Sequence, residues 1–325
     1  FLGTFYYISE VEMAQLIDLK VGFSCNNNCI HCVISDKTKE KDLSLEQIKE
    51  LVNGYIEQYG EIQLTLTGGE VTIRKDFIQL MDYVKEKKSE GKITFADMQT
   101  NARMLSHNDR AMAAAEAIDF FLVAIHSSIP AIHDTITGAN GSFEQTKQAI
   151  INLKKYAGSD RIATQTVINQ MNIGHLPDVY KFIVEDLGLS ECNITFPHPI
   201  GVCLSDKIVP TYEYAQFFIN ESLDYCLKHN IQPYIEAIPF CVWNPGMNRQ
   251  YAIEFLKKRN IDVIGYGGEK DGTVDYASLF DEGHRKYDTC KKCPYFSVCE
   301  GVWKEHLLIY PNEDMYKLYL KGVDE

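Results

Sequence analysis

The chain has 325 residues, of which 45% are hydrophobic, so it can bury the core of one large domain and a smaller one. Its formal net charge of -13 at pH 7 disfavours nucleic acid and anionic membranes as partners, because clustered Lys and Arg attract those surfaces. No apolar run approaches the roughly 18 to 20 residues that span a bilayer, and the N-terminal "FLGTFYYISEVEMAQ" lacks the order of a secretion signal. The sequence therefore predicts a cytoplasmic protein.

Short apolar runs alternate with amphipathic stretches of helical length through the first two-thirds of the chain. The predicted strands are "LIDLKVGF", "EIQLTLT", "KITFADMQT", "AIDFFLVAIH", "RIATQTVIN" and "ECNITFPHP". The predicted helices between them are "SLEQIKELVNGYIEQYG", "RKDFIQLMDYVKEKKSEG", "HNDRAMAAAEA", "SFEQTKQAIINLKKYAG" and "LPDVYKFIVEDLGL". Repeated βα units predict an α/β fold with a parallel sheet. Six units are too few for a complete eightfold barrel, so we expect a partial (β/α)6 TIM-type barrel.

Polar residues and glycines mark the ends of some predicted helices. Ser44 and Ser142 precede apolar helical periods and are candidate N-caps, since a Ser hydroxyl accepts a hydrogen bond from a free backbone N–H. Gly60 and Gly158 follow such periods and are candidate helix stops. These signals predict helices over residues 44–60 and 142–158.

The pattern changes after Pro210. A long helical stretch, "TYEYAQFFINESLDYCLKHN", is followed by "PYIEAIPFCVWNPGMN" and then by irregular Gly-rich sequence, "GYGGEKDGTVD". We therefore expect a barrel domain over residues 1–205, a connecting helix and linker over 206–240, and a small C-terminal module over 241–325.

The cysteines are clumped, which in a cytosolic protein favours metal binding over disulfides. One group comprises Cys25, Cys29 and Cys32, and a second comprises Cys290, Cys293 and Cys299. The remaining four are scattered at Cys192, Cys203, Cys226 and Cys241. Apart from Cys241, these scattered residues are expected to be small buried hydrophobes or unpaired thiols.

The first group, in "CNNNCIHC", follows the first predicted strand and so lies in the first βα loop, at the end of a barrel where chemistry takes place. Three thiolates can hold three irons of a four-iron cluster and leave the fourth iron open to a small molecule. The alternative is a zinc site, with His31 or a distant residue as the fourth ligand.

A Gly-Gly-Glu turn follows the second strand, in "LTLTGGEVTIRKDF". Gly68 and Gly69 allow a ligand to approach the backbone closely, and Glu70 adds a carboxylate at the same rim. Most turns of this composition are merely turns, so the motif gains meaning only beside the cysteines.

Together these motifs resemble those of the radical S-adenosylmethionine (radical SAM) enzymes, which have C-x3-C-x2-C in the first loop and Gly-Gly-Glu after the second strand. The resemblance implies that Cys25, Cys29 and Cys32 hold a catalytic [4Fe-4S] cluster whose open iron chelates S-adenosylmethionine. It also implies that one electron, from a flavodoxin- or ferredoxin-type donor, cleaves this cofactor to a 5'-deoxyadenosyl radical. The radical then takes a hydrogen atom from the substrate.

The resemblance also implies contacts to the cofactor. Gly68, Gly69 and Glu70 are expected to hold its methionine end, with Glu70 facing the ammonium group. His31 occupies the position where the family places a residue that packs on adenine, and the alternative is a solvent-facing loop histidine. Asn101, in "MQTNARML", matches the family's Thr-Asn-Gly turn and either bonds near the cofactor or caps the third helix.

Two stretches depart from the family pattern. Ala102 stands where the family has Gly, and "VAIHSS" stands where many relatives read Ser-x-Asp, with Ala124 and His126 at those positions. From the same stretch we predict a contact between Ser127 and the cofactor. Asp134, in "HDTITGANGSF", is expected to organise a loop and a helix rather than to act in catalysis.

The C-terminal group, in "CKKCPYFSVCEGVW", resembles the auxiliary-cluster extensions of the family called SPASM and twitch domains. The resemblance implies that Cys290, Cys293 and Cys299 bind one auxiliary [4Fe-4S] cluster of the shorter, twitch-like kind. Cys241, where the sequence leaves the barrel, is the expected fourth ligand. The alternative is a structural zinc held by the same four cysteines.

The resemblance favours an oxidoreductase that abstracts a hydrogen atom from a peptide and matures or crosslinks it, with the auxiliary cluster assisting electron transfer. A small metabolite is an alternative substrate, and a non-catalytic iron–sulfur or zinc regulator is an alternative function. The Gly-Gly-Glu turn favours the enzyme, because a sensor has no need of a cofactor-binding rim. Only about twenty residues precede Cys25, so the sequence predicts no N-terminal module that grips a leader peptide.

Overall fold

The computed structural model describes residues 14–35, 41–243, 263–266, 273–275 and 283–324 of the chain. Its strands are Gln15–Lys20 (β1), Ile62–Thr67 (β2), Ile93–Thr100 (β3), Phe120–Ala124 (β4), Ile162–Val167 (β5), Glu191–Thr195 (β6), Gln232–Glu236 (β7), Val263–Tyr266 (β8), Thr273–Asp275 (β9), His284–Arg285 (β10) and Val302–Trp303 (β11). The main sheet has the order β7-β6-β5-β4-β3-β2-β1-β8-β9, and β10 pairs with β11. Within the main sheet every neighbouring pair is parallel except β8 and β9.

The predicted α/β partial barrel is confirmed, since the first seven strands form a curled parallel half-barrel. Each of the six predicted strands overlaps an observed strand, but the sheet continues beyond them. β7 lies in the stretch predicted as a connecting helix and linker. β8 overlaps the start, and β9 forms the end, of the stretch predicted as irregular, whose residues 267–272 are outside the described part. These strands have five residues or fewer, and Pro233 and Gly265 within them are poor strand formers.

Helices connect the strands of the half-barrel and pack on the outer face of its sheet, and two more follow the last strand. They are Leu45–Tyr59 (α1), Phe77–Ser89 (α2), Asn108–Ala117 (α3), Pro130–Thr137 (α4), Ser142–Tyr156 (α5), Leu176–Lys181 (α6), Tyr212–Lys228 (α7), His306–Ile309 (α8) and Met315–Asp324 (α9). A π-helical turn, Phe182–Asp186, continues α6. The sequence pattern did not predict α4, because its eight residues lie in a segment rich in turn formers. None of the described helices is long and apolar enough to cross a bilayer.

The predicted helix ends are partly confirmed. Ser44 caps α1 in a reciprocal arrangement with Gln47, whose side chain accepts from the Ser44 N–H at 2.9 Å. Gly60 ends the same helix with a positive φ of 82°. The predicted cap at Ser142 is wrong, since the N-cap of α5 is Gly141, with φ of 77°, and Ser142 is the first helical residue.

Side chains alternate between the two faces of each strand and so build two apolar clusters. On β4, Phe121 and Val123 join the main core between the sheet and the helices. Phe120 and Leu122 point to the opposite face and join a small cluster of five residues inside the half-barrel. The main core therefore stabilises the sheet from outside, and the inner face keeps room for polar side chains and a cavity.

The C-terminal helix α9 packs against α7. Met315 and Leu318 are 2% and 1% exposed, and the Gln216 side chain donates to the Leu318 carbonyl at 3.2 Å. On the surface, Lys321 lies 2.7 Å from Glu213 of α7. These contacts fix the end of the described chain on the same body as the barrel.

Candidate active site

One large cavity opens at the carboxyl ends of the parallel strands. Its volume is about 590 Å³, and its walls come from the loops after several strands and from a C-terminal loop. Parallel barrels carry their chemistry at this end, because successive strands deliver their loops to it. The predicted site residues that line the cavity are Cys25, Cys29, Cys32, His31, Gly68, Gly69, Glu70 and Asn101.

The two glycines after β2 let the cysteine loop lie directly on the backbone of this turn. The N–H groups of Gly69 and Glu70 donate to the carbonyls of Gly22 and Ser24, both at 2.8 Å. A Cβ at Gly69 would lie 2.2 Å from the Ser24 oxygen, and one at Gly68 would lie 2.4 Å from the Gly22 oxygen. Glycine is therefore required here because the protein's own backbone packs against the turn. This packing positions the cysteines.

The Glu70 carboxylate ties the end of β2 to the end of β3. Its Oε1 accepts from the Thr72 N–H at 2.9 Å and from the hydroxyls of Thr72 and Thr100 at 2.5 and 2.6 Å, and its Oε2 accepts from the Asn101 N–H at 2.7 Å. Burial raises the pKa of Glu70, against the lowering effect of these hydrogen bonds. A carboxylate oxygen that accepts one such bond still has a lone pair for a further donor, such as an ammonium group.

Asn101 holds the cysteine loop from the side of β3. Its Nδ2 donates to Asn26 Oδ1 at 2.8 Å and to Cys25 Sγ at 3.7 Å, while its Oδ1 accepts from the Arg103 N–H at 3.1 Å. The predicted alternative of a cap on α3 is wrong, because the N-cap of that helix is His107. Asn101 therefore lies within contact distance of the Cys25 thiol.

Helix α4, which the sequence pattern did not predict, braces the same loop from a third side. The N–H groups of Asn28 and Ile30 donate to the carbonyls of Thr137 and Ile136, at 2.7 and 3.0 Å. Gly138, with φ of 62°, ends α4 so close to the loop that a Cβ there would lie 2.6 Å from the Asn28 oxygen. The spacing of the cysteines is thus held by three elements distant in sequence.

His31 is buried rather than solvent-facing, so that alternative is wrong. It is 9% exposed, its Nδ1 has no hydrogen-bond partner among the described residues, and its ring lies edge-on to His126 at 4.6 Å. Burial lowers the pKa of His31 to about 4, so the ring is neutral at neutral pH. His126 also lines the cavity. The sequence signal that could have identified it is its position, since it stands where many relatives have the Asp of Ser-x-Asp.

Two predicted residues after β4 do not line the cavity. The Ser127 hydroxyl accepts from the Ile129 N–H at 3.0 Å and caps the turn into α4, so the predicted cofactor contact from Ser127 has no geometric basis. The Asp134 carboxylate accepts from the N–H groups of Gly141 and Phe143, at 2.6 and 2.9 Å. Its predicted role as a loop and helix organiser is confirmed.

The thiols of the cysteine loop suit a metal centre. Burial raises the pKa of Cys25 to about 11 and that of Cys29 to about 12, so a bound cation is what favours their thiolates near neutral pH. Three thiolates in one loop fit three irons of a four-iron cluster. Ligand atoms of Cys29, His31 and His126 also lie within 4.8 Å of one another, a donor set that suits zinc.

A second, smaller cavity gathers the C-terminal cysteines. The thiols that line it are those of Cys241, Cys290, Cys293 and Cys299. Burial and the three neighbouring thiols raise the pKa of Cys241 well above its usual value. Val302 lines this cavity, whereas the next residue, Trp303, lines the large one, so strand β11 separates the two. Four thiols around one space fit either a fully ligated iron–sulfur cluster or a tetrahedral zinc.

The three remaining cysteines line neither cavity. Cys192, Cys203 and Cys226 are at most 1% exposed and belong to the main core. No disulfide joins any of the ten cysteines, all of which lie in the described part of the chain. The prediction of small buried hydrophobes is confirmed for these three.

Known proteins resemble this chain in sequence. Mycofactocin maturase MftC of Mycobacterium ulcerans is 26% identical over 157 residues, which are 48% of this chain and 40% of that protein. A probable GTP 3',8-cyclase of Sulfurisphaera tokodaii is 30% identical over 218 residues, 65% of this chain and 63% of the relative. An AdoMet-dependent heme synthase of Oleidesulfovibrio alaskensis is 24% identical over 206 residues, 62% and 51% of the two chains. The chain thus spans about half the length of the curated relatives it matches.

Solved structures share the fold over nearly the whole chain. Streptococcus suis SuiB bound to S-adenosylmethionine gives a TM-score of 0.62 at 11% identity, covering 94% of this chain and 76% of that one. The protein anSMEcpe with bound AdoMet gives 0.66 at 16% identity, covering 95% of both chains. The family model of the radical SAM superfamily matches residues 19–183, about half of the chain and the part that carries the cysteine loop and the Gly-Gly-Glu turn. The chain belongs to the radical SAM superfamily.

Proposed function

We propose that this radical SAM enzyme takes a hydrogen atom from a peptide and so matures or crosslinks it, with electrons from a flavodoxin- or ferredoxin-type donor. When bound, S-adenosylmethionine and a [4Fe-4S] cluster supply a 5'-deoxyadenosyl radical after one-electron reduction. The observation that carries the proposal is the shared cavity of about 590 Å³, which joins the cysteine loop, the Gly-Gly-Glu turn and a C-terminal loop. A space of this size falls within the range of small-molecule sites.

The residues of the cavity divide into two groups by their chemistry. The loop thiols Cys25, Cys29 and Cys32 would hold the catalytic cluster. Gly69 and Glu70 would hold the methionine end of the cofactor, because the buried carboxylate offers a negative charge beside the cysteine loop.

Two further side chains would contact the rest of the cofactor. His31 is a neutral, buried ring whose Nδ1 has no partner in the described part of the chain, which suits a contact with adenine. Asn101 lies within reach of both the loop and Glu70, and would fix their relative position.

A peptide is favoured as substrate by what structures with this fold contain. SuiB has been solved bound to its precursor peptide SuiA, and anSMEcpe with AdoMet and the Cp18Cys peptide. The fold of anSMEcpe matches 95% of each chain. The second candidate substrate is a small metabolite, because relatives named as a GTP cyclase and a heme synthase align over 65% and 62% of this chain.

Turnover of S-adenosylmethionine by anaerobically reconstituted protein tests the enzymatic part of the proposal. The wild type should form 5'-deoxyadenosine under reducing conditions, and a variant with Cys25, Cys29 and Cys32 changed to Ala should form none. The control is Cys203→Ala, which removes a buried thiol that lines neither cavity and should retain turnover. Undiminished turnover by the triple variant would exclude this loop as the cluster site.

Deuterium transfer distinguishes the two substrate candidates. The substrate is a deuterated form of a peptide that is encoded beside this gene. The label should appear in 5'-deoxyadenosine, and the peptide should lose mass as a crosslink forms. No transfer from the peptide, together with transfer from a deuterated metabolite, would favour the second candidate.

We further propose that Cys241, Cys290, Cys293 and Cys299 bind a fully ligated auxiliary [4Fe-4S] cluster. Reconstituted protein should then hold roughly eight irons per chain, and about four when the three C-terminal cysteines of this set are changed to Ala. Zinc in freshly isolated protein would favour the structural alternative. An unchanged spectrum in Cys241→Ala would remove Cys241 from the ligand set.

A further inference from the structure

A histidine–glutamate pair opens onto the large cavity where the barrel meets the C-terminal part. His198 follows β6 and Glu305 follows β11, 107 positions later in the chain. Their Nε2 and Oε2 atoms are 3.2 Å apart, their side chains are 27% and 17% exposed, and both line the cavity that contains the cysteine loop. Two distant segments therefore combine in one polar group.

The ring of His198 is held in one orientation by stacking. It lies on the indole of Trp303 with a centroid distance of 3.9 Å and an interplanar angle of 10°. The other face of the indole carries His284, at 4.1 Å and 26°. A ring fixed both by a stack and by a carboxylate is preorganised, as is required of a group that exchanges protons with a bound molecule.

A second pair of the same kind shows what distinguishes the first. His306 Nε2 and Glu313 Oε2 are 2.8 Å apart, but these side chains are 0% and 6% exposed and line neither cavity. That pair is enclosed among aromatic rings, which suits a structural role. Only the His198 pair, of these two, is accessible from the site.

We propose that His198 accepts a proton from the substrate in this cavity and that Glu305 orients its ring; the assignment rests on the proposed function. The Glu305 carboxylate accepts the Nε2–H, so Nδ1 carries the lone pair. In the step, an O–H, N–H or S–H bond of the substrate breaks, its electron pair stays on the heteroatom, and the proton forms an N–H bond at Nδ1. Glu305 compensates the resulting imidazolium charge. The substrate is thus one with a hydroxyl, amine or thiol beside its reacting carbon.

The surrounding charges favour the neutral ring that such a step requires. Burial lowers the pKa of His198, the ammonium of Lys304 lowers it further, and the carboxylate of Glu305 raises it. Glu236 is a further carboxylate on the cavity wall, and His284 lies beyond the indole. At neutral pH the balance leaves the imidazole uncharged and able to accept a proton.

Carbethoxylation of histidine by diethyl pyrocarbonate tests the assignment, because the reagent attacks the neutral imidazole lone pair. Reconstituted holoprotein is labelled between about pH 5 and 8 and each histidine is quantified by peptide mass spectrometry. We expect His198 to be labelled and enclosed His306 to be protected. Glu305→Gln removes the carboxylate that raises the pKa, so half-maximal labelling of His198 should move to lower pH by about one unit. Glu313→Gln is the matched control and should leave the His198 profile unchanged.

The outcomes separate this inference from the proposed function. Protection of His198, or a labelling profile that is the same in Glu305→Gln and in the wild type, would overturn the proton-accepting role. Formation of 5'-deoxyadenosine is measured on the same wild-type preparation before labelling. Its absence would count against the proposed function whatever the labelling shows.

Discussion

His133 illustrates at the residue scale how burial fixes the charge of a side chain near the site. It is 1% exposed, and its Nδ1 accepts from the His126 N–H at 3.2 Å. Burial lowers its pKa to about 4, because a charged ring would lose its hydration and its acceptor atom. The folded state therefore requires a neutral His133.

This requirement predicts acid sensitivity. The folded-state pKa of about 4 lies below the usual value of 6.5, so the unfolded state binds the proton first. The stabilisation is complete above about pH 6.5 and is lost as the pH falls towards 4, by up to roughly 3 kcal/mol. Gln keeps an acceptor but takes up no proton, so His133→Gln should show a smaller loss over this range in urea unfolding. Parallel pH profiles for variant and wild type would contradict the prediction.

Glu70 is a residue-scale test of the hydrogen bonds at the strand ends. In Glu70→Gln an NH2 group replaces one carboxylate oxygen. This NH2 donor would then face a backbone N–H or a hydroxyl that donates to the carboxylate in the wild type, and that hydrogen bond would be lost. We expect the free energy of unfolding to fall by about 1–3 kcal/mol, measured by chemical denaturation of the cluster-free protein. The control is Glu116→Gln, an exposed carboxylate paired with Lys85, which should cause no measurable change. Equal effects in both variants would show that the Glu70 bonds do not stabilise the fold.

At the element scale, the contact between two loops determines the geometry of the cysteine loop. The turn after β2 lies against residues 22–24 with no space for a side chain. The turn after β2, the end of β3 and helix α4 thus place the thiols, rather than the loop's own sequence alone. The same packing explains why a glycine pair occurs at this position.

Replacing Gly69 by Ala tests that packing. The new Cβ would lie 2.2 Å from a backbone oxygen of Ser24, so the cysteine loop must shift. We expect a destabilisation of about 1–3 kcal/mol and a lower iron content after reconstitution. Gly54→Ala is the matched control, because Gly54 lies within α1 with no atom within 4 Å, and it should stabilise the helix by about 0.5–1 kcal/mol. Wild-type iron content in Gly69→Ala would show that the loop tolerates the shift.

Across the whole molecule, the C-terminal part completes both cavities. Trp303 and Glu305 line the large one, and Met315, at the start of α9, lines the small one with its four thiols. Since α9 also packs on α7, the small cavity depends on a helix anchored to the barrel. A metal centre there would be coupled to the stability of the barrel.

The contribution of α9 packing to the stability of the barrel can be measured at Leu318, which is 1% exposed between α9 and the core. Leu318→Ala should lower the free energy of unfolding by about 2–5 kcal/mol, since it leaves a cavity. Urea unfolding is followed by tryptophan fluorescence. Leu320→Ala is the control on the same helix, because Leu320 is 44% exposed and its truncation should cost under about 0.5 kcal/mol. Similar costs at both positions would show that α9 does not pack as described.

The sequence by itself determined the six βα units and the placement of the first three cysteines after β1. These features are local, because the apolar period, the helix ends and the loop position each depend on residues that are close together in the sequence. It also predicted the gathering of Cys241 with Cys290, Cys293 and Cys299, through the resemblance of their spacing to a known pattern. The spacing of these thiols does not distinguish iron from zinc, because both metals bind thiolates.

Tertiary structure alone decided which side chains meet across long separations. It buried His31 beside His126, turned Ser127 away from the cavity, and brought Glu305 to His198. It also revealed β7 and α4, whose short lengths give too weak a periodicity to be recognised along the chain. The physical reason is the same for all of them. These features arise from burial and from hydrogen bonds between distant segments, and the local sequence pattern contains no information about either.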